Sequence, residues 1–173
     1  MTTLFFLAIF LLPLTEASAT AEGVSSNNNL SSSSSLEVCE DFANRQIGIV
    51  DRLLNQSNYS RALKVLNRTV ENCDREFVHE KLVEVFDAWY NDVRASGSSS
   101  DVRHFNNVVS NNPHLSSGQK ARFDSRIQSY VSSLIRQQST AQNHEETYQT
   151  CQSYPGYSDT NFEVQYYCGS SAL

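Results

Sequence analysis

The sequence predicts an all-α protein, a disulfide-stapled bundle of five to six helices. Three observations carry that expectation. From Val38 onward the apolar residues recur every three or four positions, the period of a helix face, and nowhere settle into strand alternation. Capping residues, glycine and proline punctuate the runs where helices should start and stop. Four cysteines are spaced so that one pair can close a helical hairpin.

The elements follow in order. A first run carries Val38, Phe42, Ile49 or Val50 and Leu53, with Gln46 as an exception. The Asn55-Gln56-Ser57-Asn58 stretch reads as a turn. A second run holds Tyr59, Ala62 or Leu63, Leu66, Val70, Cys73 and Phe77. The third is the strongest, with Val78, Leu82, Val85 or Phe86, Trp89 and Val93, and it ends at Ser96-Gly97. A shorter fourth run carries Val102, Phe105, Val108 and Val109 and stops before Asn112-Pro113, because proline cannot continue a helix. The fifth, with Phe123, Ile127, Tyr130 or Val131, Leu134 and Ile135, opens on a capping box. There Ser116 and Gln119 can each satisfy the other's backbone amide. A last short helix is expected from Asn143, with Glu146 as capping partner.

Four cysteines allow three pairings. If the first two helices form an antiparallel hairpin, residues equidistant from the turn face each other. Cys39 and Cys73 have their midpoint at residue 56, inside the turn, so they are expected to pair across the open ends of the hairpin. Cys151 and Cys168 then pair by elimination, closing a polar, tyrosine-rich C-terminal loop with Pro155-Gly156 at its tip.

Ahead of the helices the chain divides into two further segments. Residues 1–19 have the form of a secretory signal peptide: an apolar run from Leu4 to Leu14, broken only by Pro13, then Ala17-Ser18-Ala19 with cleavage expected after Ala19. That run is about half of the ~20 residues needed to span a bilayer, and no later run is apolar enough to do so. Residues 20–36 read as a disordered Ser/Asn-rich leader with little to bury. Residues 37–173 form the single helical domain. The expected location is extracellular, and the sequons at Asn29, Asn55, Asn58 and Asn67 are candidate N-glycosylation sites.

Composition narrows the function classes. Of 173 residues, 39% are hydrophobic and 10% aromatic, enough to build a core. Acidic residues outnumber basic ones 19 to 13, and removing the leader peptide with Glu16 leaves 18 against 13, a net charge near −5. Nucleic acid is therefore not an expected partner, since a phosphate-tracking surface needs clustered cations. No catalytic residue, metal ligand or cofactor is assigned. His79, His104, His114 and His144 lie in separate segments, and neither His79-Glu80 nor His144-Glu145-Glu146 has a second histidine at the spacing a zinc site requires. No nucleophile elbow or phosphate-cradling loop occurs, and oxidised cysteines supply no nucleophile.

Two features point to binding. Tyr148, Tyr154, Tyr157, Tyr166 and Tyr167 place five of the eight tyrosines in the last 26 residues, among Ser, Gly, Asn and Phe162. Tyrosine beside small polar residues is the composition of a contact surface, so Tyr154, Tyr157, Tyr166 and Tyr167 are the candidate partner surface. Separately, Phe77, Phe86, Trp89 and Tyr90 on the third helix either pack as core or line a cavity for a small apolar ligand.

A small helical chain with this leader, these sequons and four cysteines resembles, in layout, the small secreted salivary or other body-fluid proteins of insects. Its first and last cysteine spacings are loosely similar to those of insect odorant-binding proteins that keep four cysteines. It departs from them in the long gap between Cys73 and Cys151 and in the hairpin pairing derived above, so no residue role is carried over. The expected function is that of a secreted, non-enzymatic interaction protein, salivary-effector-like, that binds an extracellular or host macromolecule. An extracellular carrier of a small apolar ligand is the alternative.

Overall fold

The computed structural model describes residues 29–158 and 162–171, with side chains from residue 35 onward except at 157, 158 and 163. The expected signal peptide and the leader up to residue 28 lie outside the described residues. Among the described residues lie helices α1 (Asn29–Leu54), α2 (Tyr59–Asn72), α3 (Glu76–Ser96), α4 (Ser99–Asn111), α5 (Ser117–Thr140), α6 (His144–Ser153), α7 (Pro155–Ser158) and α8 (Phe162–Ser171). The all-α class holds. The helix number exceeds five to six, because the tail contributes the single turn α7 and the ten-residue α8.

The local signals account for most boundaries. Asn58 caps α2, its side chain accepting from the Arg61 amide at 3.4 Å. Gly97 ends α3 in the left-handed region at φ 66°, which costs glycine no Cβ clash. Ser98 caps α4 by accepting from the Asp101 amide. The Ser116–Gln119 capping box is complete, with Ser116 N donating to Gln119 Oε1 at 2.8 Å and Gln119 N to Ser116 Oγ at 3.2 Å. The box expected at Asn143 and Glu146 does not form. Asn143 is the N-cap of α6 but makes no side-chain cap; its carbonyl accepts from both the amide and the hydroxyl of Thr147, which is fully buried.

Two more expectations change. Helix α1 begins at Asn29, so the last residues of the expected leader are helical. Packing starts later, however: Leu36 and Val38 are exposed, Cys39 and Phe42 are half-buried, and Ala43 is the first fully buried residue. The C-terminal segment is helical rather than a loop. Its weak sequence signal has a simple cause, since Val164 is its one fully buried aliphatic anchor among the described side chains.

Each helix packs on its chain neighbour from α1 to α6, α1 also reaches α3, and α8 folds back onto α5 and α6. At the first joint, the turn between α1 and α2 takes Ser57 to φ 51°. Its hydroxyl and that of Tyr59 both donate to Asp92 of α3, at 3.1 and 2.5 Å. Cys39 and Cys73 are bonded with their Cα atoms 5.4 Å apart, closing the hairpin at the far end of α2. Arg75 pairs with Glu40 beside that bridge at 3.1 Å. Lys81 of α3 reaches Asp51 of α1 at 2.6 Å and Glu84 at 2.8 Å. Burial works against the Lys81 charge, but those two hydrogen bonds outweigh it and hold its pKa above the ordinary value.

The centre is aromatic. Phe86 of α3, Phe105 of α4 and Phe123 of α5 are fully buried, with centroids 5.7–6.1 Å apart in tilted and edge-on contacts. Trp89 and Tyr90 add rings at 5.1 and 5.8 Å from Phe105. These separations fall in the range of favourable aromatic pairs. Of the third-helix aromatics Phe86 and Tyr90 are buried in this core, while Phe77 and Trp89 are half-buried against it. Outside this cluster Asp87 joins α3 to α5 through Arg122, at 2.9 Å, and Arg126. The Arg126 guanidinium lies 4.1 Å over the Tyr90 ring.

Replacing Phe86 by Ala removes the ring shared by α3, α4 and α5 and should cost about 3–5 kcal/mol of unfolding free energy. Urea titration reads this directly; a loss under ~1 kcal/mol would show that the ring is not the centre of the core.

Candidate functional site

The four candidate tyrosines do not form one surface. Tyr154 turns inward, 6% exposed, and its hydroxyl donates to the Ser99 carbonyl at 2.9 Å. It therefore locks the end of α6 to the start of α4. Tyr157 lies in α7, and its side chain is outside the described residues. Tyr167 is half-buried against the core. Tyr166 remains outward, 66% exposed, with its ring edge-on to Tyr167 at 5.6 Å.

The exposed partner of Tyr166 is Phe162, 83% exposed and four residues earlier on α8, hence on the same helix face. Composition groups Phe162 with the tyrosines but does not mark it out; its spacing to Tyr166 is the signal that a helical reading of the tail would have used. Below this face α8 is fixed in two ways. Val164 is buried, and Cys168 is bonded to Cys151 of α6 with Cα atoms 5.7 Å apart. Arg103 of α4 donates to Ser153 at the end of α6, which joins the same region. Two large rings thus stand in water on a helix that cannot swing away.

A second concavity of about 410 Å3 lies between α2 and the α3–α4 pair, lined by Leu63, Asn67, Trp89, His104 and Val108 among others. Trp89 forms its wall, with Tyr59 stacked on one side at 5.9 Å and His104 edge-on at 5.4 Å. The histidines have separate surroundings. His79 meets Asp74 at 2.6 Å, and His114 approaches Glu71 at 4.0 Å. Among the described residues no group of three or more His, Cys, Asp or Glu side chains is placed to hold a metal. No helix there is long and apolar enough to cross a membrane.

The sequons differ in access. Asn55 is exposed in the α1–α2 turn. Asn58 is half-buried with its side-chain oxygen engaged as a helix cap. Asn67 is half-buried and accepts from Asn112 at 3.2 Å, while Thr69 of the same sequon is fully buried and donates to the Val65 carbonyl. The Asn29 side chain lies outside the described residues. Comparison with protein-family models, curated proteins and solved structures finds no match for the chain.

Burial raises the pKa of three tyrosines: Tyr154 is pushed up to about 12, Tyr130 is raised, and Tyr59 is raised further by its hydrogen bond to Asp92. In the unfolded chain these phenols ionise near 10. The folded state resists ionisation, so their contribution is intact below pH 10 and lost as pH climbs from about 10 to 12. Thermal unfolding followed across that window should show a falling midpoint, and Tyr154→Phe should flatten the fall; an unchanged slope in the variant would refute the assignment to Tyr154.

Proposed function

We propose that this is a secreted, glycosylated, non-catalytic interaction protein that engages an extracellular macromolecule through the aromatic face of α8. The observation that carries the reading is the pair Phe162 and Tyr166, 83% and 66% exposed, on a helix pinned by the Cys151–Cys168 bridge. Large rings held rigid in water are the groups that dominate protein contacts, because burying them releases much apolar surface and freezes few rotors. Secretion is supported by two bridges, which persist in oxidising compartments, together with the apolar leader followed by Ala17-Ser18-Ala19. Among the sequons Asn55 is the favoured glycan site, being exposed on a turn. The layout shared with small insect salivary and body-fluid proteins is compatible with this role. The carrier reading draws no support from the centre of the bundle, where rings pack around Phe86 at 5.7–6.5 Å.

Wild-type protein and the Phe162→Ala/Tyr166→Ala double variant, each immobilised, should be exposed to the native extracellular fluid and the bound proteins compared by mass spectrometry. The wild type is expected to retain a specific protein that the variant loses, with both showing the same helical circular dichroism. Equal retention by the two would remove α8 as the contact surface.

A further inference from the structure

The paired faces of α1 and α2 carry a surface independent of α8. Between the two helices runs a groove of about 630 Å3 whose floor is formed by Phe42, Ile49 and Leu53 of α1 and Val65 of α2, all half-buried. Along its α2 side stand Arg61, Lys64 and Arg68, at the i, i+3, i+7 spacing of one helix face and all exposed. Arg45 and Arg52 of α1 are exposed too, four residues before and three after Ile49, which places them one turn either side of it.

These five cations are unusual within the protein. Elsewhere Arg75, Lys81, Arg122 and Arg126 sit in ion pairs, Arg103 and Lys120 donate hydrogen bonds to Ser153 and the Ser110 carbonyl, and Arg94 lies over the rings of Tyr90 and Tyr130. The five form no ion pair or side-chain hydrogen bond among the described residues. The acidic residues of the same two helices do not neutralise them. Glu40 is taken by Arg75, Asp51 by Lys81, and Glu71 faces His114; Glu37 and Asp41 remain, both ahead of Phe42. A chain with a formal net charge of −6 thus gathers five of its thirteen basic residues on one unpartnered hairpin face.

We propose that this groove receives an acidic amphipathic helix of a protein partner. The shape is that of a trough between two antiparallel helices, open along its length, which suits a rod laid into it. The chemistry requires two things of the occupant together: an apolar stripe for the floor and carboxylates along the flanks for the cations. A sulfated glycan answers the cations but leaves Phe42, Ile49 and Leu53 in water. A single-chain fatty acid covers the floor but brings one charge to five. A helix with leucines at i, i+3, i+4 and i+7, flanked by glutamates, answers both.

The test uses the intact, oxidised protein and a fluorescein-labelled synthetic peptide of about 14 residues with that pattern, a typical helix length, read by fluorescence anisotropy. A peptide of the same composition with its leucines scrambled off the stripe is the control. The patterned peptide should bind about ten-fold more tightly than the scrambled one, and Arg61→Gln/Lys64→Gln/Arg68→Gln should weaken it by about ten-fold. Raising the salt should weaken it further. Because all three positions are exposed, circular dichroism should be unchanged; Arg45→Gln/Arg52→Gln on α1 gives a second, independent variant and should also weaken binding. Equal affinity for the scrambled peptide, or no loss in either variant, would overturn the proposal. Tight binding of dextran sulfate or dodecanoate without binding of the patterned peptide would overturn it in favour of those ligands. A dimer in sedimentation that the triple variant dissociates would assign the face to a second copy of the chain.

Discussion

One covalent constraint sets the geometry of the amino-terminal half: Cys39 held against Cys73. Helix α1 makes its main contacts with α2 and α3, through the fully buried Ala43 and Val50 and the half-buried Phe42, Leu53 and Leu54. Among the described side chains of α1 only Ala43 and Val50 are fully buried, so the bridge matters. Closing a loop with a sequence separation of 34 removes on the order of 3–4 kcal/mol of chain entropy from the unfolded state on the entropic model, a sizeable share of the ~5–15 kcal/mol typical of a domain. The ion pairs Arg75–Glu40 and Lys81–Asp51 lie at two levels of α1 and fix its rotation more than its stability. With the rotation fixed, Phe42, Ile49 and Leu53 come to rest beside the cations of α2.

The carboxy-terminal half is built on a different principle. Its helices are joined by the rings of Phe86, Phe105 and Phe123 at the centre. Its outer helix, α8, is held by a bridge and one buried valine. A helix with so small a buried face leaves its other residues free to meet a partner, and Phe162 and Tyr166 occupy that position. The two halves present different surfaces, aromatic at Phe162 and Tyr166 on α8, cationic on the α1–α2 hairpin.

What could be read from the sequence was what is written locally. The apolar stripe of α3 from Val78 to Val93, the stop at Gly97 and the Ser116–Gln119 box depend on residues within a few turns of one another, and all appear in the structure. The hairpin register was legible because a turn and a bond between equidistant residues constrain each other. The tail was not: five tyrosines look alike in composition, and whether Tyr154 or Tyr166 faces water depends on where α4 lies, which no local pattern encodes. Asn143 shows the same limit, since the capping spacing is present in the sequence and the side-chain cap does not form. The row Arg61, Lys64 and Arg68 went unread in the sequence, because charges at helical spacing look like an ordinary wet helix face until the neighbouring apolar floor of α1 is known.

The central claim is that residues 39 and 73 are joined, so that α1 and α2 form one clamped face. Proteolysis of the unreduced protein at acidic pH, which suppresses thiol exchange, followed by mass spectrometry of the linked peptides tests it most directly. One linked pair containing Cys39 and Cys73 and another containing Cys151 and Cys168 are expected. A peptide joining Cys39 to Cys151 or Cys168 would contradict it, and with it the groove between the first two helices.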